Sequence, residues 1–332
     1  MASTNQLGSS AQAADGLWRS AGLRYFAYGF SLRQKFGHRV RRVSVDAGFT
    51  CPNVDGSVAK GGCVFCNNES FSPSRRLNRR PIGEQIDEGI RRQGQRYNCD
   101  HFIAYFQPAT NTYAPVERLR DLYEQALRHP KVVALAIGTR PDCVPDEVLD
   151  LLGEVAGRKP LSVEYGMQTM HDRSLHWMNR GHHHEAFIDA VRRSRGRGFE
   201  IGAHVILGLP GETRQDMLDT ARELARLGID SVKFHNLYAV RGTRLAQQLD
   251  RGEVRLMDRA DYIRTLVDFL ELLPPTVVVE RTSGDAPPEY LVGPAWCSER
   301  SAVRAAVDEE FSRRNTWQGR LTLATGGNAP DN

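Results

Sequence analysis

The chain has 332 residues, 40% hydrophobic and 25% charged, with a net charge of +4. That is the balance of a folded globular protein with core enough for one large α/β domain or two ordinary ones. No apolar run reaches the roughly 20 residues that span a bilayer, and the Ser-, Ala- and Gln-rich start has neither the basic nor the apolar region of a secretory signal, so a membrane-spanning helix and a secreted scaffold are excluded and a cytoplasmic protein is expected.

Residues 1–20 read as a disordered leader, and the chain looks disordered again over 315–332. Between them, short apolar runs alternate with helical stretches. Strands are predicted at Val40 to Val45, Phe102 to Phe106, Val132 to Ile137, Leu161 to Tyr165, Ile201 to Leu207, Val232 to Phe234 and Val277 to Val279. A run such as Val132 to Ile137, apolar at successive positions, fits a strand covered on both faces, as in a parallel sheet. The stretches between repeat apolar residues at helical spacing, for example Leu218, Ala221, Leu224 and Leu227 with Gly228 as a stop. An open doubly wound sheet and a β/α barrel both satisfy this alternation, and both place chemistry at the C-terminal ends of strands.

The residues after those ends are rich in glycine and polar groups. The first such loop runs from Cys51 to Cys66 and holds Cys51, Cys63 and Cys66. Cys63 and Cys66 can grip an iron-sulfur cluster from one tight turn, with Cys51 returning across a glycine-bearing loop, and three ligands would leave one iron open. A structural zinc is the competitor, but it needs a fourth Cys or His that no nearby pair supplies. Cys99, Cys143 and Cys297 are dispersed, which favours reduced thiols over a disulfide framework. The run His182, His183, His184 cannot converge on one ion from a helix, since neighbours diverge by about 100°. Only five lysines occur, so Arg carries the positive charge. Its clusters at Arg39, Arg41, Arg42, at Arg75, Arg76, Arg79, Arg80 and at Arg192, Arg193, Arg195, Arg197 read either as phosphate contacts or as solvated helix faces.

Several strings together resemble the radical S-adenosylmethionine (SAM) superfamily, in its Elp3-like stand-alone branch, over Tyr25 to Arg304. They are Gly48-Phe49-Thr50-Cys51-Pro52-Asn53, Tyr105-Phe106-Gln107, Thr110-Asn111-Thr112-Tyr113-Ala114-Pro115, Gly138-Thr139-Arg140-Pro141-Asp142-Cys143, Asn179-Arg180-Gly181-His182 and Gly284-Asp285-Ala286-Pro287. The resemblance implies an α/β fold, a partial (β/α)6 barrel over 21–280 with a C-terminal α/β extension over 281–314. It also implies a [4Fe-4S] cluster on Cys51, Cys63 and Cys66, with SAM on the open iron. Further contacts follow by resemblance: Gln107 to the methionine amino group, Thr139 and Arg140 from the third loop, Glu164 and Gln168 to ribose and carboxylate, Phe65 shielding the cluster or touching adenine. Ile206, Gly208 and Glu212 fall in the fifth-strand motif near the adenine, Glu212 holding the turn or capping the next helix, and His182 would contact cofactor or substrate. Arg140 equally reads as a salt bridge to Asp142, and Cys143 as either a buried small hydrophobe or a hydrogen donor to a product radical.

The implied activity is reductive cleavage of SAM and hydrogen abstraction, with an electron donor such as flavodoxin or ferredoxin. Some members of the branch act on a transfer RNA wobble uridine, converting its carboxymethylaminomethyl group to aminomethyl, and the chain shows no acetyltransferase extension or methylthiotransferase-type N-terminal domain. A radical oxidoreductase of small molecules and a non-catalytic cluster- or zinc-bearing RNA-binding module are the alternative expectations.

Overall fold

The computed structural model describes residues 17–322 except 73–74 and 76–79. In chain order the elements are α1 (Tyr28–Phe36), β1 (Val40–Val45), α2 (Ile82–Tyr97), β2 (His101–Phe106), α3 (Val116–Leu127), β3 (Val132–Thr139), α4 (Asp146–Ala156), β4 (Leu161–Gln168), α5 (Asp172–Trp177) and α6 (His184–Ser194). There follow β5 (Glu200–Leu207), α7 (Arg214–Leu227), β6 (Ser231–Asn236), β7 (Ala239–Val240), α8 (Arg244–Asp250), α9 (Arg259–Leu272), β8 (Val278–Arg281), β9 (Leu291–Gly293) and α10 (Arg300–Arg313). Single helical turns at Pro52–Asp55 and Asn68–Phe71 flank the first and last cysteines of the long loop after β1.

Seven parallel strands pair in the order β1-β2-β3-β4-β5-β6-β8. All seven predicted strands are present. The sheet is curled into a half-barrel: β1 and β8 are its two edges, yet Arg42 on β1 reaches Glu280 on β8 at 2.7 Å across the interior. Outward residues such as Val45, Ala104, Phe106, Ile137 and Val163 meet the helices in the main apolar core. Contact there is close enough to dictate sequence, since a Cβ on Gly89 of α2 would fall 2.2 Å from Val43 Cγ1 on β1. Residues of the other parity face inward. Ile103, Tyr105, Ala134 and Ala136 line the bottom of the half-barrel, where Leu32, Tyr28 and Phe36 of α1 close it.

Helix ends follow local chemistry. α7 begins at Thr213, whose hydroxyl accepts from Asp216 N while Asp216 returns to Thr213 N, and ends at Gly228 with φ +59. This corrects one expectation, because the cap is made by Thr213 and not by Glu212.

Both expected disordered ends start too far in. Residues 1–16 and 323–332 lie outside the described residues, but 17–20 form a helical turn in which Trp18 is fully buried and donates to Pro275 O. Gln318 is likewise fully buried. Its amide donates to Pro274 O and Val277 O, both at 2.8 Å, and accepts from Phe26 N at 2.9 Å. One polar side chain thus satisfies three backbone groups where the two chain ends meet, which offsets its burial.

Candidate active site

At the C-terminal ends of the strands the loops enclose one cavity. It is lined by Cys51, Cys63 and Cys66, by Phe65, Gln107, Thr139, Arg140, Glu164, Gln168 and Ile206, and on its inner side by Tyr105, His204, Lys233, His235 and Arg281. Of the residues expected at the site, ten therefore converge. Backbone strain converges with them: three of the five non-glycine residues with positive φ among the described residues, Ala109, Gln168 and Asn179, belong to these loops.

The cysteine loop is held from outside by Asn179-Arg180-Gly181-His182. Asn179, at φ +54, donates from Nδ2 to Lys60 O and Gly62 O at 3.0 and 2.8 Å. Asn53 Nδ2 donates back to Asn179 O and Arg180 O, at 2.6 and 2.9 Å. Gly181 is required by contact as well as by its φ of +73, since a Cβ would lie 2.7 Å from both Asn53 Oδ1 and Val58 Cγ1. Two donors are aimed at one sulfur: Cys63 Sγ accepts from Asn53 Nδ2 at 3.4 Å and from Arg180 Nη1 at 3.6 Å.

All three thiols are free. Burial, with Cys63 and then Cys51 close by, pushes the Cys66 thiol up to about 12 in the metal-free chain. Bound iron would reverse that shift, because a cation deprotonates a coordinating thiol outright. Three adjacent thiols with N–H groups directed at sulfur are the donor set of an iron-sulfur cluster. Among the described residues no three His, Cys, Asp or Glu side chains converge on a single-ion position; a cubane places each thiolate on a different iron and does not need one.

Arg140 takes the structural role foreseen for it. Its Nε and Nη2 pair with both Asp142 oxygens at 2.9 and 2.7 Å, and Nη1 donates to Arg180 O at 2.8 Å. Thr139 Oγ1 lies 2.6 Å from Thr112 Oγ1, which donates to Cys143 O, so the strings after β2 and β3 brace each other. Gln107 Oε1 accepts from Ser44 at 3.2 Å. Phe65 packs with Leu175, Met178, Ile206, Leu209 and Leu237, giving the cavity an apolar side.

Four expected residues stand elsewhere. Cys143 lines a second cavity with Thr112, Tyr113, Asp142 and Val144, and burial, then Asp142, pushes its thiol up to about 12; a protonated thiol in another cavity is poorly placed to meet a product radical. His182 is buried behind the cysteine loop, where burial and Arg180 lower it to about 3, and its Nε2 has no partner among the described residues. Gly208, at φ +86, packs on Met257 and donates to Met217 Sδ. Glu212 accepts from Thr169 Oγ1 at 2.7 Å, tying the loop after β5 to the loop after β4. His183 and His184 turn to Asp172 and Glu223 respectively, so the histidine run disperses.

Glu164 requires a larger correction. It sits within β4, with Gly138 and Gly202 at the paired positions on both neighbouring strands, and its carboxylate is consumed inside the barrel. Arg42 Nη2 lies 2.8 Å from Oε1, while Lys233 Nζ, His204 Nε2 and the Tyr105 hydroxyl lie 2.7, 2.7 and 2.9 Å from Oε2. Burial alone would raise this carboxyl; Arg42 and Lys233 hold it well below the usual range. Burial lowers Lys233 and His204 in turn. No sequence motif announced this cluster: Arg42, Tyr105, Glu164, His204 and Lys233 are single polar residues in strands otherwise rich in apolar ones, brought together only because the curled sheet turns them all inward.

The third Arg cluster is absorbed locally. Arg192 and Arg193 pair with Asp189, Arg193 also with Asp146, and Arg197 with Asp150, whereas Arg76 and Arg79 lie outside the described residues.

Comparison with known proteins accords with this geometry. Residues 58–224 match the family model described as the radical SAM superfamily, and 229–313 match the radical SAM C-terminal domain. Uncharacterized protein YtqA of Bacillus subtilis is 38% identical over 90% of this chain and 92% of its own length. Protein YhcC of Escherichia coli is 37% identical over 85% and 90%. A tRNA uridine(34) acetyltransferase of Methanocaldococcus jannaschii is 30% identical over 49% of this chain and 30% of its own. The solved structure of Elp3 from Methanocaldococcus infernus superposes with a TM-score of 0.62 at 20% identity, over 88% of this chain and 68% of that one, a likeness of fold. No helix among the described residues is long and apolar enough to cross a membrane. With its three-cysteine loop, its curled parallel sheet and these matches, the chain belongs to the radical SAM superfamily and is a radical SAM enzyme.

Proposed function

We propose that the enzyme acts on the side chain of a transfer RNA wobble uridine, converting carboxymethylaminomethyl to aminomethyl. The observation that carries this reading is the cavity itself, which has three cysteines and apolar cover at one end and, at the other, a basic interior of Arg42, Lys233 and Arg281 in which Arg281 has no carboxylate partner among the described residues. Such an interior suits a substrate group that is small and anionic. The match to a protein named tRNA uridine(34) acetyltransferase supports the RNA.

Cys51, Cys63 and Cys66 would hold the [4Fe-4S] cluster, and Gln107, Thr139, Gln168, Ile206 and Phe65 would surround SAM. When bound, the two supply a one-electron cleavage of the sulfonium that yields a hydrogen-abstracting 5′-deoxyadenosyl group. This chain's own residues do the rest. Asn53 and Arg180 stabilise negative charge on Cys63. Phe65 and its apolar neighbours exclude water from the reacting end. The site must present the methylene between the amine nitrogen and the carboxylate. Loss of one hydrogen atom to the 5′-deoxyadenosyl group and of one electron to a one-electron acceptor such as an oxidised iron-sulfur centre would leave an iminium there; addition of water then breaks the C–N bond, leaving aminomethyl on the uridine and releasing the two-carbon fragment as glyoxylate. A flavodoxin- or ferredoxin-type donor would supply the reducing electron.

Mass spectrometry of transfer RNA nucleosides from a strain lacking the gene tests this. Accumulation of 5-carboxymethylaminomethyluridine at the expense of aminomethyl derivatives is expected; an unchanged wobble-uridine profile rejects the reading.

A further inference from the structure

Basic groups outnumber acidic ones inside the half-barrel. Two carboxylates, Glu164 and Glu280, face two guanidiniums, Arg42 and Arg281, and the Lys233 amine. Arg42 pairs with both carboxylates, at 2.8 and 2.7 Å. Lys233 lies 2.7 Å from Glu164 and 3.7 Å from Glu280, and Glu280 also accepts from Ser231 at 2.9 Å. Asp285, the next acid along the chain, is taken by Arg300. Arg281 is left, among the described residues, without a carboxylate partner.

What Arg281 has instead is a neutral ring. Its Nη2 lies 2.7 Å from His235 Nδ1 and 2.9 Å from Nε2. Burial, then Arg281 itself, keeps His235 well below its usual range, so it carries no charge to oppose. Arg281 Nε is buried with no hydrogen-bond partner among the described residues. The guanidinium lines the same cavity as the three cysteines and is paired in register with Lys233 on β6. Its position is enforced by Gly284, where a Cβ would fall 2.9 Å from Tyr238, 3.1 Å from His235 Nδ1 and 3.5 Å from Arg281 Nη2, and where the backbone N–H is fixed by Asn236 Oδ1 at 3.0 Å. That gives the Gly284-Asp285-Ala286-Pro287 string a physical reason: a bare backbone keeps Arg281 and His235 together at the cavity wall.

Arg281 is half-buried with its Nε out of water; a partly desolvated guanidinium with no anion beside it is unfavourable, and its planar fork of donors matches a carboxylate two-pronged. We propose that Arg281 is the substrate-anchoring residue of this enzyme and binds a carboxylate of the substrate inside the cavity. The inference rests on the proposed reading of the substrate, for which that carboxylate is the end of the carboxymethylaminomethyl group. Anchored there, the adjacent methylene is oriented toward the sulfur-bearing end. SAM also carries a carboxylate, and the test separates the two sources.

Cluster-reconstituted protein with SAM and no reductant is titrated anaerobically with fluorescent anticodon stem-loops carrying either 5-carboxymethylaminomethyluridine or 5-aminomethyluridine, so that binding is read without turnover. Wild type should prefer the carboxylate-bearing RNA by about 30-fold, the scale of a close charge pair. Arg281→Gln should abolish that preference, and Arg281→Lys, which keeps charge but not the fork, should restore part of it. If Arg281→Gln fails to fold, Arg281→Lys carries the test by a reduced preference. Arg281→Gln that discriminates as wild type does overturns the proposal, and so does a variant whose loss falls on SAM affinity instead. If neither RNA binds, acetate is titrated against acetamide: acetate binding that Arg281→Gln abolishes keeps the anion site and rejects the uridine reading, and its absence in wild type rejects both.

Discussion

Glu164→Gln replaces a carboxylate by an amide of the same shape at a position where the structure leaves nothing to relax. The side chain is 1% exposed and faces Arg42, Lys233, His204 and Tyr105, all within 2.9 Å. The substitution leaves Arg42, Lys233 and Arg281 with Glu280 alone. Breaking a buried charge set from one side costs about 3–5 kcal/mol, and at about 2–4 °C per kcal/mol the melting temperature at pH 7 should fall by at least about 6 °C. The pH dependence has a definite sign. The Glu164 carboxyl is held well below its ordinary value in the folded chain, so its contribution is complete above the unfolded value near 4.5 and declines as pH falls toward the folded one. The gap between wild type and variant should therefore be flat from pH 8 to about 5 and narrow below that. Adding Lys233→Met should recover part of the loss, because removing both partners leaves fewer uncompensated charges; the double variant should be less damaged than the summed singles by about 1 kcal/mol or more. Calorimetric melts of the cofactor-free chain check all three. A variant melting within about 2 °C of wild type at pH 7, or a gap that widens on acidification, would refute the electrostatic reasoning.

Three further outcomes are expected. Asn179→Ala removes two hydrogen bonds to the cysteine loop and puts a Cβ-bearing, non-Asn residue at positive φ; about 1–3 kcal/mol should be lost, and proteolysis between Gly56 and Gly62 should quicken. Gln318→Ala orphans Phe26 N, Pro274 O and Val277 O and should lower stability by about 2 kcal/mol or more in denaturant titration, whereas a disordered tail predicts no change. In the metal-free protein Cys66, pushed up to about 12 by burial and the neighbouring cysteines, should react with iodoacetamide at pH 8 more slowly than a free thiol by about 1000-fold, measured by peptide mass spectrometry.

Local pattern was sufficient for the strands, since each is an apolar run between turn residues. It was not sufficient to choose between an open sheet and a curled one. That distinction lies in pairs such as Arg42 with Glu280, 238 positions apart, which no window of sequence contains. The cysteine loop was legible because three ligands crowd into sixteen residues. Arg281, Lys233 and Arg42 were not, because each is one charged residue in a different strand and acquires meaning only when the sheet curls. Asn179 and Arg180 were noticed as a string, but their work, fastening the cysteine loop and donating to Cys63 Sγ, depends on a loop more than a hundred residues away. Cys143 and His182 show the converse: a residue beside a motif inherits interest from its neighbours, while its side chain is aimed into other surroundings.

The central claim is that Cys51, Cys63 and Cys66 make this cavity a radical SAM site, and anaerobic reconstitution tests it most directly. The reconstituted chain should carry about four irons and four sulfides and, given SAM and a strong reductant, release 5′-deoxyadenosine, with both properties lost in Cys63→Ala. Reconstituted protein that leaves SAM intact under reducing conditions, or a Cys63→Ala variant that cleaves it as wild type does, would contradict the account.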